Sequence, residues 1–269
     1  MPWLCRGPCW FLWRDIRGGI VQDRDYQQTV SSLYFRPFSN LQVSCRIDQD
    51  VSLGKDSTRL AYLMRELGIP IHYILFFDTG WEFPQMYNHI KLFEEKFGTK
   101  VVRIAYHRSF DEMLMRYGWP SCSGWWCKAA KRDALYKYIR KIKDAVFYIG
   151  MTADEPHRLK QNGPVPKKYP LAELGITENE ALVYCKQLGF DWDGLYDVFH
   201  RVSCRFCPER GISGTRKLRA FFPEIWGDIC FRSRYIKGNN MYLHNKSTEQ
   251  LEARFKEEDR QGLLMEVSA

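Results

Sequence analysis

Two periodicities alternate along this chain. From Ser57 the apolar residues Leu60, Leu63, Met64 and Leu67 recur at helical spacing, and Gly68 supplies a C-terminal stop. Ile71 to Phe77 is a continuous apolar run ending abruptly in Asp78-Thr79-Gly80, the pattern of a central parallel strand that emerges at a ligand-facing edge. Pro84 opens a second helix with Met86, Ile90, Phe93 and Phe97 on one face and Gly98 after it. Lys100 to Tyr106 predicts a strand, and Ser109-Phe110-Asp111-Glu112 a capping box for a short helix ending near Gly118. A basic amphipathic helix over roughly Cys127 to Lys143 and an apolar strand from Ala145 to Ile149, closed by Gly150, continue the series. Such alternation packs most economically as an α/β fold, a doubly wound, mostly parallel sheet with right-handed crossovers and helices on both faces.

The flanks read differently. Residues 1–40 carry three Trp, two Cys and a Gly18-Gly19 break without either periodicity, and form an uninterpreted N-terminal extension. Leu41 to Ile47 alternates as a strand does. Asp48-Gln49-Asp50 then separates it from Ser52, where a buried parallel strand would run apolar up to its turn, so the pattern argues against an ordinary first strand and leaves an abnormal upstream sequence open. After Gly150, Asn162 to Pro166 reads as loop, Tyr169-Pro170-Leu171 as extended, and Thr177-x-x-Glu180 as the cap of a helix to Leu188. Ser247-x-x-Gln250 caps a last, charged helix, and the remainder is helical and aromatic. The expected organisation is the extension 1–40, a nucleotide-binding domain over 41–175, and a mainly helical cysteine-containing region over 176–269.

Composition narrows the partners. No apolar run approaches the roughly 18 residues of a membrane span, so no membrane partner is expected. A net charge of +8 and a pI near 9.0 favour phosphate-bearing partners, nucleotide and nucleic acid equally. Nine cysteines, an odd count behind a start with no secretory pattern, point to a reducing cytoplasm and to metal or redox chemistry for clustered thiols.

The candidate chemistry starts at Ser52-Leu53-Gly54-Lys55-Asp56-Ser57-Thr58. Small residues there let backbone N–H groups approach an anion, and the following helix adds its positive end. An ordinary turn followed by a helix cap uses the same residue types. It is not a Walker A loop, since Gln49 stands where that motif begins with Gly. Asp56 and Asp78, at the ends of successive parallel strands, are expected at one sheet edge. Cys122-x4-Cys127 and Cys204-x2-Cys207 form two close pairs whose spacing suits tetrahedral thiolate coordination of zinc or an iron-sulfur cluster, which spacing alone cannot separate. Cys5, Cys9, Cys45, Cys185 and Cys230 read as structural. Around Cys204, the cations Arg201, Arg205, Arg210, Arg216, Lys217 and Arg219 face only Glu209 in the nearby sequence, with Trp125, Trp126, Phe206, Phe221 and Phe222 available for stacking. That combination suits nucleic acid, although a solvated surface is the commoner reason for a charge run.

Ser52 to Ser57 resembles the SGGKDS loop of PP-loop enzymes, and Asp78-Thr79-Gly80-Trp81-Glu82-Phe83-Pro84 resembles the DTGxxFP segment of the phosphoadenosine phosphosulfate (PAPS) reductase family. Gly150-Met151-Thr152-Ala153-Asp154-Glu155 with Arg158 is similar to that family's GxRADExxR, and Tyr169-Pro170-Leu171 to its YPL. The likeness runs over roughly residues 50–235. It is nearest to a prophage and bacterial branch with blocks like Gly175 to Glu178, Phe190 to Trp192 and Arg201 to Cys204.

The resemblance implies an adenine nucleotide alpha-hydrolase-like fold with Ser52, Gly54, Lys55, Asp56, Ser57 and Thr58 forming a phosphate loop. Amides and the Ser57 and Thr58 hydroxyls would donate to phosphate, and Lys55 would offset its charge. Asp56 would hold Mg2+ if ATP is the substrate, and Lys55 and Asp56 are the catalytic candidates. Asp78, Thr79 and Gly80 would line the ribose or phosphate side, Gly150 would be among the cofactor-binding residues, and Arg158 would pair with phosphate or sulfate. The resemblance also favours a 4Fe-4S cluster over Zn2+ at Cys122, Cys127, Cys204 and Cys207. Leu53 departs from the usual first loop Gly and Thr152 from the family's Arg, which weakens tight sulfate recognition.

Three functions follow. In the first, a PP-loop enzyme reduces PAPS with an external thiol or electron-donor protein. Family reductases supply a thiol from a C-terminal ECGxH segment, whereas no cysteine follows Cys230 here, which counts against that route. In the second, an ATP pyrophosphatase-type enzyme adenylates an acceptor such as nucleic acid for sulfur insertion. In the third, a catalytically silent module keeps only nucleotide or nucleic-acid binding.

Overall fold

The structure, a computed structural model, describes residues 53–120, 125–159, 165–243 and 245–262 in full and the backbone of 43–45 and 263–267. Its centre is β1 (Val43–Cys45), flanked in parallel by β2 (Ile74–Phe77) and β4 (Val146–Tyr148). Val101–Ile104 forms β3 beyond β2, and Lys167–Lys168 forms β5 beyond β4, which gives the all-parallel order β3-β2-β1-β4-β5. The departure from expectation is β1 itself. An alternating segment of three residues pairs Cys45 with Ile74 on one side and Val43, Ser44 and Cys45 with Val146, Phe147 and Tyr148 on the other. Being central, it is held by ladders on both sides, so a long apolar run is unnecessary.

Parallel neighbours need crossovers, and the helices supply them. Helix α1 (Lys55–Glu66) joins β1 to β2, and α2 (Pro84–Phe97) joins β2 to β3. α3 (Phe110–Tyr117) and α4 (Trp126–Ile139) then carry the chain back across the sheet to β4. All four β2 residues are fully buried, as a strand covered on both faces must be. The chain winds outward from β1 to β3 and then returns to the other side of β1. A doubly wound sheet offers a ligand crevice at that reversal, beyond the carboxyl ends of β1 and β4.

Past β4 the readings shift in detail. Tyr169-Pro170-Leu171, expected as extended, instead starts α5 (Pro170–Glu173), because Pro170 takes a first-turn position where its missing N–H costs nothing. The expected capping box is present. Thr177 accepts from the Glu180 amide and the Glu180 carboxylate accepts from the Thr177 amide at the start of α6 (Glu178–Gln187). Short turns lead through α7 (Leu195–Val198) to α8 (Gly211–Phe221) and α9 (Pro223–Ser233), followed by the antiparallel pair β6 (Met241–Leu243) and β7 (Lys246–Ser247). That pair lies within a C-terminal region that is otherwise mainly helical, as expected. The last helix, α10 (Thr248–Val267), buries Leu251 in the core, sets Phe255 edge-on to Trp226 and is capped by Ser247 and Gln250 as expected. Contacts divide the chain into Met1–Asn40 and Leu41–Ala269, and everything described belongs to the second unit.

Candidate functional site

The turn before α1 is built from both halves of that unit. Leu53 sits at φ +45° with its side chain fully buried, so a branched residue holds a backbone conformation that favours glycine. Two donors fix its carbonyl, the Trp192 indole Nε1–H at 3.2 Å and the Thr58 hydroxyl at 3.4 Å. The Lys55 amide donates to the Tyr196 hydroxyl at 2.9 Å, and the Cys185 thiol donates to the Lys55 carbonyl at 3.4 Å. The segment from Cys185 to Tyr196 therefore clamps the loop backbone. His89 completes the support. Its Nε2 meets the Thr58 hydroxyl at 3.1 Å, its ring stacks on Trp192 with centroids 4.5 Å apart, and burial pushes its pKa down to about 3, so it is neutral.

The expected loop residues divide by what they face. Ser52 lies outside the described residues. The Thr58 hydroxyl turns inward to Leu53 and His89 rather than toward the crevice. Ser57 is buried at the first turn of α1, where helices leave amides without intrahelical partners. A Cβ on Gly150, just beyond β4, would stand 3.1 Å from the Asp56 carbonyl carbon and oxygen and from the Ser57 nitrogen. Only glycine allows the β4 end to close on the loop this tightly. The Asp56 Oδ1 atom is buried with no hydrogen-bond partner, and so is the Thr152 hydroxyl oxygen two residues past Gly150. Burial lifts Asp56 from 3.8 to about 7, against the attraction of Lys55 and with the repulsion of Glu178. An orphaned carboxylate oxygen beside first-turn amides fits an anion that arrives with a cation.

Lys55 is 4% exposed, and its ammonium lies 2.8 Å from the Glu178 carboxylate and 3.4 Å from that of Asp56. Arg158 ion-pairs with Glu155, which adds a further negative charge near Asp56. Asp78 closes its own turn, its Oδ1 accepting from the Gly80 amide at 2.9 Å and from the Tyr87 hydroxyl at 2.7 Å. Thr79 is buried, accepts from the Trp81 amide and donates to Glu82 at 2.7 Å.

From that turn the structure leads directly to the thiols. The Trp81 carbonyl accepts from the Arg205 amide at 2.7 Å, and the Trp81 ring meets Phe206 edge-on at 5.2 Å. Cys127, Cys204 and Cys207 are free thiols that interact with one another and with Lys131. Burial opposes the charge of Lys131, yet Glu82 and the three thiols outweigh it and hold the ammonium above its usual range. Between the coupled thiols, the Cys204 S–H bond to Cys207 pulls Cys207 down and leaves Cys204 raised. The donors are thiols beside the Lys131 ammonium, and burial pushes the Cys127 thiol up to about 11. Among the described residues, however, no three metal-binding side chains stand together in ligating reach, and Cys122 lies outside the described residues.

The basic face is not the open surface its sequence suggested. Arg216 pairs with Glu258, Arg219 with Glu252 and Asp259, and Lys217 donates to the Val198 carbonyl at 3.0 Å. Arg210 donates to the Cys204 carbonyl at 2.8 Å and lies 4.4 Å over the Phe199 ring. Phe206 is fully buried, while Phe221 is exposed. The opposing charges sit on α10, far along the chain, where local reading does not find them. Glu178, Trp192 and Tyr196 were likewise absent from the expected site. The signal for Glu178 and Trp192 was the Gly175–Glu178 and Phe190–Trp192 blocks, which carried likeness but no role, and Tyr196 lies outside both. No helix among the described residues is long and apolar enough to cross a membrane.

Residues 46–203, more than half of the chain, match the family model described as phosphoadenosine phosphosulfate reductase domain. Two uncharacterized proteins of Methanocaldococcus jannaschii are similar in sequence. One is 27% identical over 64% of this chain and 38% of its own length, and the other 25% identical over 70% and 48%. The matched region is thus less than half of either relative. Among solved structures, the phosphate complex of phosphoadenylyl-sulfate (PAPS) reductase from Candida auris aligns with 70% of this chain and 98% of its own at 11% identity and TM-score 0.48. The U34-tRNA thiolase NcsA from Methanococcus maripaludis, solved with its 4Fe-4S cluster, aligns with 75% and 78% at 17% identity and TM-score 0.43.

Proposed function

We propose, because the chain belongs to the phosphoadenosine phosphosulfate reductase domain family, that it is an adenine-nucleotide-binding PP-loop enzyme of sulfur metabolism. One observation carries the reading. The loop at Leu53 to Thr58 follows β1 and the Asp78–Phe83 turn follows its parallel neighbour β2, and that turn meets the thiol segment where the Trp81 carbonyl accepts from the Arg205 amide. Nucleotide activation and sulfur chemistry can therefore share a crevice. The first-turn amides of α1, closed upon by Gly150, would receive phosphate, and Asp78 to Gly80 would form the neighbouring wall. Clustered cysteines of this kind suit a reducing cytoplasm.

ATP with Mg2+ is the nucleotide the charges favour. Asp56, Glu155 and Glu178 crowd the loop, and a bare sulfate ester would meet like charge there, whereas ATP brings its own cation. Asp56, with its orphaned Oδ1, would hold that cation. Thr152 in place of the family's Arg removes a sulfate partner. An acceptor oxygen would attack the α-phosphorus, the α–β phosphoanhydride bond would break, and pyrophosphate would leave with its charge stabilised by Lys55 and the α1 terminus. A sulfur nucleophile would then displace AMP from the activated acceptor.

Cys127, Cys204 and Cys207, together with Cys122, would hold a 4Fe-4S cluster or Zn2+, which when bound keeps sulfur anionic and reactive. Lys131 would offset the thiolate charge. The test is product analysis. The reading expects pyrophosphate from ATP, and release of adenosine 3',5'-bisphosphate from PAPS would replace it with the reductase. Nucleotide binding without either product, across candidate acceptors, would leave a silent binding module.

A further inference from the structure

Lys55, the cation that should meet phosphate, already has an anion. Its ammonium is 2.8 Å from Glu178 Oε2 and 5.3 Å above the Tyr196 ring, in a buried position. The Lys55 backbone is fixed, because its amide is bound to the Tyr196 hydroxyl and its carbonyl to the Cys185 thiol. The backbone of Glu178 is equally fixed. Its amide donates to Asp154 Oδ2 at 2.6 Å, and the preceding Thr177 forms the capping box that starts α6. The Glu178 side chain has an outward alternative, since it is 20% exposed and His200 Nδ1, on a largely exposed ring, lies 3.8 Å from the same Oε2, whereas the buried Lys55 ammonium is held between Glu178 and Asp56.

We propose that Glu178 is the internal counter-ion of Lys55, displaced by the incoming phosphate, and that this exchange makes Glu178 the residue that sets the loop's affinity and selectivity for polyanions. The inference rests on the nucleotide reading of the loop. A carboxylate and a phosphate oxygen present the same acceptor chemistry to an ammonium, and one buried Lys cannot serve both at full strength. Phosphate gains Lys55 only when Glu178 turns outward toward His200 and solvent. Binding therefore carries the cost of breaking this pair, which falls most heavily on weak ligands with few phosphate contacts. A ligand with several phosphates and a divalent cation overcomes it, whereas free phosphate or sulfate does not. Glu178 thus guards an otherwise generic anion loop against small inorganic anions.

Titration calorimetry with ATP and Mg2+, and separately with inorganic pyrophosphate, tests this on the full chain and on Glu178→Gln, Lys55→Met and the double variant. Glu178→Gln keeps the shape of the side chain and should bind both ligands about tenfold more tightly than wild type, with the larger gain for pyrophosphate. In the Lys55→Met background the same change should alter affinity less than about twofold, because no cation is left to compete for. No gain in Glu178→Gln, or an equal gain in both backgrounds, overturns the inference, the latter because Glu178 would then act only by charge at a distance. Binding by wild type with either of those results leaves the nucleotide reading intact. Absence of binding by wild type and every variant overturns both. Thermal unfolding without ligand, run as the same four-variant cycle, shows whether the 55–178 pair forms and whether each variant folds.

Discussion

Replacing Leu53 separates two opposing terms at the loop. The residue sits at φ +45°, where a non-glycine residue costs about 1–2 kcal/mol, and its side chain is fully buried. Removing a buried Leu side chain costs roughly 2.7–5 kcal/mol, and the flexibility of Gly in the unfolded chain costs about 0.5–1 kcal/mol more. Leu53→Gly should therefore destabilise the protein by about 2–4 kcal/mol, although it restores the residue usual in the family loop. Leu53→Ala loses nearly the same packing while keeping the left-handed backbone penalty. The Ala variant should be the less stable of the two by up to about 1 kcal/mol, the reverse of the ordinary order. Urea unfolding monitored by tryptophan fluorescence measures both differences, with the slope checked for two-state behaviour. A Gly variant as stable as wild type, or an Ala variant clearly more stable than Gly, would refute this account of the loop.

Three further outcomes follow from the same geometry. Gly150→Ala places a methyl 3.1 Å from the Asp56–Ser57 peptide and should weaken nucleotide binding at least about tenfold while lowering stability by about 1–3 kcal/mol, measured by calorimetry and urea unfolding. Asp56, with a folded pKa of about 7 against 3.8, keeps a proton that the unfolded chain has released between about pH 4 and 7. Its contribution to stability accordingly falls as pH rises through that window, by at most about 1.4 kcal/mol per unit, and the difference between wild type and Asp56→Asn in chelator should show this slope and flatten above pH 7. Anaerobically purified protein should carry bound iron, with a broad band near about 400 nm, or bound zinc, and Cys204→Ser or Cys207→Ser should remove it.

Much of this was legible locally. Met86, Ile90, Phe93 and Phe97 define α2 between Pro84 and Gly98, and Thr177 and Glu180 announce the α6 cap, because helix signals lie within a few residues of one another. The turn before α1 and the turn at Asp78 were legible as turns for the same reason. What escaped is pairing at long range. Glu178 reaches Lys55 across 123 positions, and Trp192 reaches Leu53 across 139. The cations near Cys204 looked unopposed because Glu252, Glu258 and Asp259 arrive on a helix further along the chain. Lys167–Lys168 shows no strand pattern because an edge strand of two residues is specified by its partners, Phe147 and Tyr148, rather than by its own side chains.

The central claim, that the turn before α1 is a nucleotide loop, is tested most directly by calorimetric titration of the full chain with ATP and Mg2+, alongside Asp56→Asn. The account predicts saturable one-to-one binding by wild type and its loss in the variant at unchanged fold. A folded wild-type protein that gives no binding heat with either ATP and Mg2+ or PAPS, at several temperatures, would contradict it.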